Sequence, residues 1–274
     1  MKYKRLIIAL SSVIAVIVLG IILSFTLFRT NNICFDFQNE TTTFESKESK
    51  AEIISSANIN KSLPIYTLNK KEVTQNLEKH NPYLKVINIE TIFPNKIIIH
   101  CAEREEAFCI KGRDDLYYIC DDELKVLNIT KSITISQISP VVISGVNVVN
   151  TGASAGDFLE LKEGESLVKK ISNAFAYNNK TITDIKAICK NITLKYEYNN
   201  YTCKICPTLI FTTYDDFKIN IQNAVSYLVL KINIALNYTP QIATNYKSHE
   251  LFLDINPSDI SEYYCPLEPI KPQV

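Results

Sequence analysis

The chain has 274 residues, 29 Lys+Arg against 29 Asp+Glu, 46% hydrophobic and 21% charged residues, a composition that excludes a disordered or collagen-like chain. Zero net charge argues against nucleic-acid binding, whose affinity comes from clustered Lys and Arg that release counterions from phosphates. The sum hides a split: residues 1–29 hold Lys2, Lys4, Arg5 and Arg29 with no acid, and the other 25 basic residues face 29 acidic ones.

The basic piece surrounds an uncharged run, residues 6–28, and roughly 20 apolar residues suffice for a helix to cross the hydrocarbon core. We expect a single N-terminal transmembrane helix there, contacting the lipid bilayer through residues 6–28. Residues 1–5 form a cytoplasmic tail, because Lys2, Lys4 and Arg5 obey the positive-inside rule. A cleaved signal peptide would have a shorter apolar core and a small-x-small site, which Phe28-Arg29-Thr30 does not supply. All eight cysteines follow this segment, on the extracytoplasmic side.

Beyond it, Ile33–Phe37 alternates as a strand does. Ser49-Lys50-Ala51-Glu52 reads as a capping box opening a helix through Ile53, Ile54 and Ala57. Asn69 caps a second helix that buries Val73 and Leu77 and ends at Asn81-Pro82. The β-branched runs Leu84–Phe93 and Lys96–Ala102 flank Pro94-Asn95 and predict a hairpin. The order is strand, helix, helix, strand, strand.

That order resembles the polypeptide-transport-associated (POTRA) module of the bacterial division proteins FtsQ and DivIB. The resemblance is carried by Tyr66-Thr67-Leu68-Asn69, Asn81-Pro82-Tyr83-Leu84-Lys85-Val86, Phe93-Pro94-Asn95-Lys96-Ile97 and Glu103-Arg104. Two features depart from it: only Asn39 stands where the family has Val-x-Gly-Asn, and Glu105-Glu106-Ala107 replaces Pro-Val-Ala.

Further on, Ala107–Ile110, Leu116–Cys120 and Leu124–Leu127 read as short strands, and Pro140–Gly145 matches the family's entry to its larger β domain. Leu167, Ile171 and Phe175 place a helix over Glu165–Tyr177. Ile182–Cys189, Ile192–Tyr198 and Thr208–Thr213 read as strands, and Asp215–Leu236 as a long helix with one apolar stripe. Leu251–Ile255 sits where the family has Ile-Asp-Leu-Arg, with Asn256 in place of the arginine, and Pro266, Pro269 and Pro272 predict an extended tail. The expected fold class is α+β: a transmembrane helix, a POTRA domain (29–104), a mixed α/β "β domain" (105–256) with a C-terminal edge strand, and a Pro-rich tail (257–274).

Several motifs invite a catalytic reading. Cys203-Lys204-Ile205-Cys206 could make the chain a membrane-anchored thiol-disulfide oxidoreductase, but that chemistry needs the first cysteine at a helix N-terminus, and Pro207 leads into the strand-like Leu209-Ile210-Phe211. His80, His100 and His249 are scattered, which predicts no metal site. No arginine follows Arg113 to serve a Cys-His-Arg transpeptidase. The paired acids Asp114-Asp115, Asp121-Asp122 and Asp215-Asp216 suit turns and a helix start.

The expectation is therefore a non-enzymatic scaffold with no cofactor, no nucleic acid and no small-molecule substrate. The resemblance implies FtsB/DivIC-like and FtsL-like bitopic partners at the division septum, and a docking site on the final strand and the segment after it. Carried over, that site comprises Asp254, Ile255, Asn256, Ser258, Ile260, Tyr263 and Tyr264. An edge strand accepts another chain by β-augmentation, and tyrosines bring contact area at low entropy cost.

Overall fold

The computed structural model describes residues 2–30, 32–38, 47–199, 202–245, 250–255 and 263–264. It divides into two compact units, Met1–Arg104 and Glu105–Val274.

The first unit opens with helix α1 (Lys2–Leu27), about 39 Å long at 1.5 Å per residue. Its segment Leu10–Leu27 has the length and composition to cross a membrane, and none of it is buried within the protein. Thr26 Oγ1 returns its proton to the Ile22 and Leu23 carbonyls at 3.0 and 3.1 Å, which removes a polar group from lipid.

Strand β1 (Asn32–Phe37), helix α2 (Lys47–Ser56), helix α3 (Lys70–His80) and the hairpin β2 (Leu84–Ile92) and β3 (Lys96–Glu103) follow. The strand order is β1-β3-β2, with β1 parallel and β2 antiparallel to β3. The helices cover one face, and Ile53, Ala57, Val73, Leu77, Leu84, Ile97 and Ile99 are buried together. Asn69 caps α3 as expected, accepting from the Glu72 amide at 3.4 Å. Helix α2, however, begins at Lys47, so Ser49 lies inside it and is not its cap. Arg104 closes the unit, buried and paired with Glu78 at 3.1 Å.

In the second unit one sheet of nine strands forms among the described residues. Strands β4 (Phe108–Lys111), β5 (Tyr117–Cys120), β6 (Val126–Thr130) and β7 (Val141–Ser144) come first. Helices α4 (Glu165–Tyr177) and α5 (Ile182–Ile188) and strands β8 (Cys189–Asn199), β9 (Lys204–Thr213) and β10 (Lys218–Ile221) come next. Helix α6 (Leu228–Asn245), β11 (Glu250–Ile255) and β12 (Tyr263–Tyr264) complete it. The spatial order is β12-β11-β10-β9-β8-β7-β4-β5-β6. Phe108, Ile110, Val141, Ile143, Ile192, Leu194, Leu209 and Phe211 from the sheet pack with Leu167, Ile171 and Phe175 of α4 and Leu228 and Ile232 of α6. Gly145, at φ +79°, ends β7 where any Cβ would run into the Leu194 carbonyl.

Two predicted elements are corrected. The strand expected over Ile182–Cys189 is helix α5 up to Ile188, because Thr181 and Asp184 form a complete capping box whose reciprocal bonds outweigh the β-branched composition. The long helix expected from Asp215 is a strand followed by a later helix. Asp216 takes φ +59° in a tight turn, and Phe217 just before β10 and Ile219 and Ile221 on it are buried at a spacing of two, with Asn220 buried between the last pair. Helix α6 starts only at Leu228, after Tyr227 at φ +56°.

Candidate partner-docking edge

Strand β11 reaches its place because the crossover through α6 returns the chain parallel to β10, with Ile221 opposite Leu253. Strand β12 then pairs antiparallel with its end, Asp254 opposite Tyr264 and Ile255 opposite Tyr263. Among the described residues no strand lies beyond β12. The backbone of a terminal strand carries a row of donors and acceptors that a further strand can satisfy.

A buried polar network holds the end of β11. Asp254 is 2% exposed and Lys231, from α6, is 0% exposed. The Lys231 ammonium donates to Asp254 Oδ1 at 3.1 Å and to the Gln222 and Asn223 carbonyls at 2.6 and 3.0 Å. Asp254 also accepts from its own chain at the Ile255 amide, 2.9 Å, and from Asn199 Nδ2, 2.6 Å. Asn199 Oδ1 in turn accepts from the Thr202 amide and hydroxyl at 2.9 and 3.1 Å. Burial pulls the Lys231 pKa below its ordinary value, and the Asp254 carboxylate opposes that pull. Every donor of the ammonium is satisfied, which is the condition for an ion pair to persist in a low-dielectric interior. Helix α6, the β8–β9 hairpin and β11 are thereby locked at one point, directly beside the pair that carries β12.

This geometry assigns different positions to the residues expected to contact a partner. Asp254 and Ile255 are both about 2% exposed, so their side chains work inside the fold and not at a docking surface. Tyr263 and Tyr264 supply β12 itself. Asn256, Ser258 and Ile260 lie outside the described residues, as do Asn39, His249, the tail prolines and Cys265. The network partners Lys231, Asn199 and Thr202 were not foreseen, although one signal existed. Lys231 stands three residues after Leu228 and one before Ile232, within the apolar stripe of the helix.

The other motifs resolve as follows. Cys203 is exposed in the turn between β8 and β9, at φ +53°, and is hydrogen-bonded to Tyr198. Cys206 is a half-buried thiol on β9, 3.3 Å from Thr202 Oγ1. Neither lies at a helix N-terminus, so the feature that activates a redox Cys-x-x-Cys is not built here. Cys101, Cys109 and Cys189 are buried, and desolvation pushes each thiol up to about 12; it raises Cys120 as well. Among the described residues no group of three His, Cys, Asp or Glu could hold a metal ion. His80 bonds the Asn76 carbonyl at 2.8 Å, and His100 lies between Asp36 and Glu90 at 2.8 and 3.4 Å. Asp114 accepts from Tyr118, Asp115 pairs with Lys111, and Asp216 with Lys190, all in turns.

A mixed α+β chain with one N-terminal helix long and apolar enough to cross a membrane and a β-α-α-β-β module behind it has the layout of a POTRA protein. Comparison with known families agrees: residues 45–104 match the POTRA domain of FtsQ type. The chain thus carries a POTRA domain of FtsQ type, and with one apolar N-terminal helix it fits a membrane scaffold of cell division. No curated protein matches the chain.

Proposed function

We propose that the protein is a non-catalytic, single-pass scaffold of the division septum that captures other divisome proteins through its extracytoplasmic units and helps regulate septal peptidoglycan synthesis. The observation that carries this reading is the FtsQ-type POTRA domain lying directly behind an apolar span. Lys2, Lys4 and Arg5 hold the N-terminus in the cytoplasm, residues 29–104 form the POTRA domain, and residues 105–256 form the β domain.

The partners are bitopic proteins of the FtsB/DivIC and FtsL kinds. One of them adds an extended segment to β12 by β-augmentation, where main-chain bonds supply affinity and the flanking side chains, Ile260, Tyr263 and Tyr264 among them, supply selectivity. Asp254 serves this site indirectly, by fixing the strand on which β12 is built. The test is capture of a DivIC-like partner by the full chain. Ile260→Lys with Tyr263→Lys abolishes capture while circular dichroism stays native; unchanged capture overturns the assignment.

A further inference from the structure

The first unit joins its anchor to its folded domain by direct contacts. The Ile65 amide donates to the Phe28 carbonyl at 2.7 Å, the Thr30 amide to the Leu63 carbonyl at 3.4 Å, and Arg29 Nε to the Lys61 carbonyl at 3.0 Å. The Asn32 amide reaches the Asn95 carbonyl at 3.3 Å. Phe28 meets Tyr66 and Phe93 edge-on, at centroid separations of 6.2 and 5.9 Å. Tyr66 Oη is hydrogen-bonded to Ser24 Oγ.

Ser24 lies three residues before Leu27, the last residue of the apolar span, which is about 4.5 Å inside its end. A side chain that reaches Ser24 from the folded domain is therefore held at the boundary between the acyl chains and the headgroups. Around it the turn at Ile65–Thr67 and the tip of the β2–β3 hairpin present large apolar side chains outward. Phe93 is 59% and Tyr66 57% exposed, with Leu63 and Ile92 beside them in sequence and also exposed. Arg29 and Lys61 are exposed on the same segments. Aromatic rings with flanking cations are the residues that favour a membrane–water interface. Left in water, the rings would be an apolar patch that nothing among the described residues covers.

We infer that this rim is a lipid-facing seat: Leu63, Tyr66 and Phe93 enter the headgroup region around the end of α1, and Arg29 and Lys61 meet phospholipid phosphates. The POTRA domain is thereby held in a fixed tilt on the bilayer and does not swing on a tether. The inference rests on α1 spanning the membrane, and the experiment separates the two.

The chain has no tryptophan, so a single substitution is a unique fluorescent reporter. The full-length protein is reconstituted in vesicles of phosphatidylethanolamine and phosphatidylglycerol, with or without lipids brominated near the headgroup or at the chain end. Val16→Trp reports the span, Phe93→Trp the seat, and Ile87→Trp a control about 20 Å back along the hairpin, in the exposed bulge of β2. The expected result is loss of Val16→Trp emission with deep bromines and loss of Phe93→Trp emission, with a blue shift, with shallow ones. Ile87→Trp is unquenched. If Val16→Trp is quenched and Phe93→Trp behaves like Ile87→Trp, the seat is overturned and the span stands. Phe93→Trp emission that is blue-shifted yet unaffected by bromolipid assigns the rim to a protein contact and also overturns it. An unquenched Val16→Trp overturns the span itself and the seat with it.

Discussion

Replacing Asp254 by Ala removes three acceptor contacts at once and leaves the Lys231 ammonium, 0% exposed, without its counter-ion. Breaking one side of a buried pair costs about 3–5 kcal/mol, because a charge remains in low dielectric. That is a factor of about 10² to 4 × 10³ in the opening equilibrium of the surrounding structure, at 1.4 kcal/mol per decade. The double variant Lys231→Met with Asp254→Leu removes both charges and restores apolar contact, so it is expected within about 1–2 kcal/mol of the native chain. Hydrogen exchange of peptides covering β10 and β11, measured on the full chain in detergent with chemical denaturation followed by circular dichroism, reads both effects. Equal destabilisation by the single and double variants, or a loss under about 1 kcal/mol for Asp254→Ala, would refute the idea that this pair fixes the strand beneath the edge.

Three other changes test the fold. Gly145→Ala forces a side chain into a left-handed residue and against the Leu194 carbonyl, and should lower stability by about 2–3 kcal/mol in urea melts; a neutral result would deny that close approach. Thr181→Ala removes the capping box of α5 and should cost about 1 kcal/mol, seen as faster hydrogen exchange confined to that helix; uniform exchange would contradict it. The raised thiols make an alkaline signature. Cys101, Cys109 and Cys189 move from 9.0 unfolded to about 12 folded, so the folded state binds more protons between those values. The stability they contribute is complete below pH 9 and is lost as pH rises toward about 12. Denaturation midpoints that stay flat from about pH 8 to 11 would contradict this, as would alkylation of these thiols in the folded chain at the rate of Cys203.

Helix α4 was legible because three apolar residues at four-residue spacing have only one helical face to occupy, and Leu167, Ile171 and Phe175 all reach the core. The POTRA hairpin was legible because its turn dipeptide separates two β-branched runs. The misread elements are those in which two periods coexist. Phe217 and Ile221 fit a helical spacing of four, and with Ile219 they equally fit a strand; the left-handed turns at Asp216 and Tyr227 decide between them. In α5 a local cap overrides composition. At the candidate site, the resemblance points to Asp254 as a partner contact, whereas the structure buries its side chain. Burial depends on Lys231 and Asn199, which come from elements 23 and 55 residues away in the chain, and no local pattern announces such a meeting.

Receipt of the division partner at the C-terminal edge of the second unit is open to a direct experiment. Photo-crosslinking tests it most directly, with benzoylphenylalanine replacing Tyr264 on β12 or, as a control, the exposed Asn128 on β6 at the opposite end of the sheet. Position 264 is expected to crosslink to a bitopic FtsB/DivIC-like protein in dividing cells, and position 128 is not. A crosslink from 128 with none from 264 would contradict it.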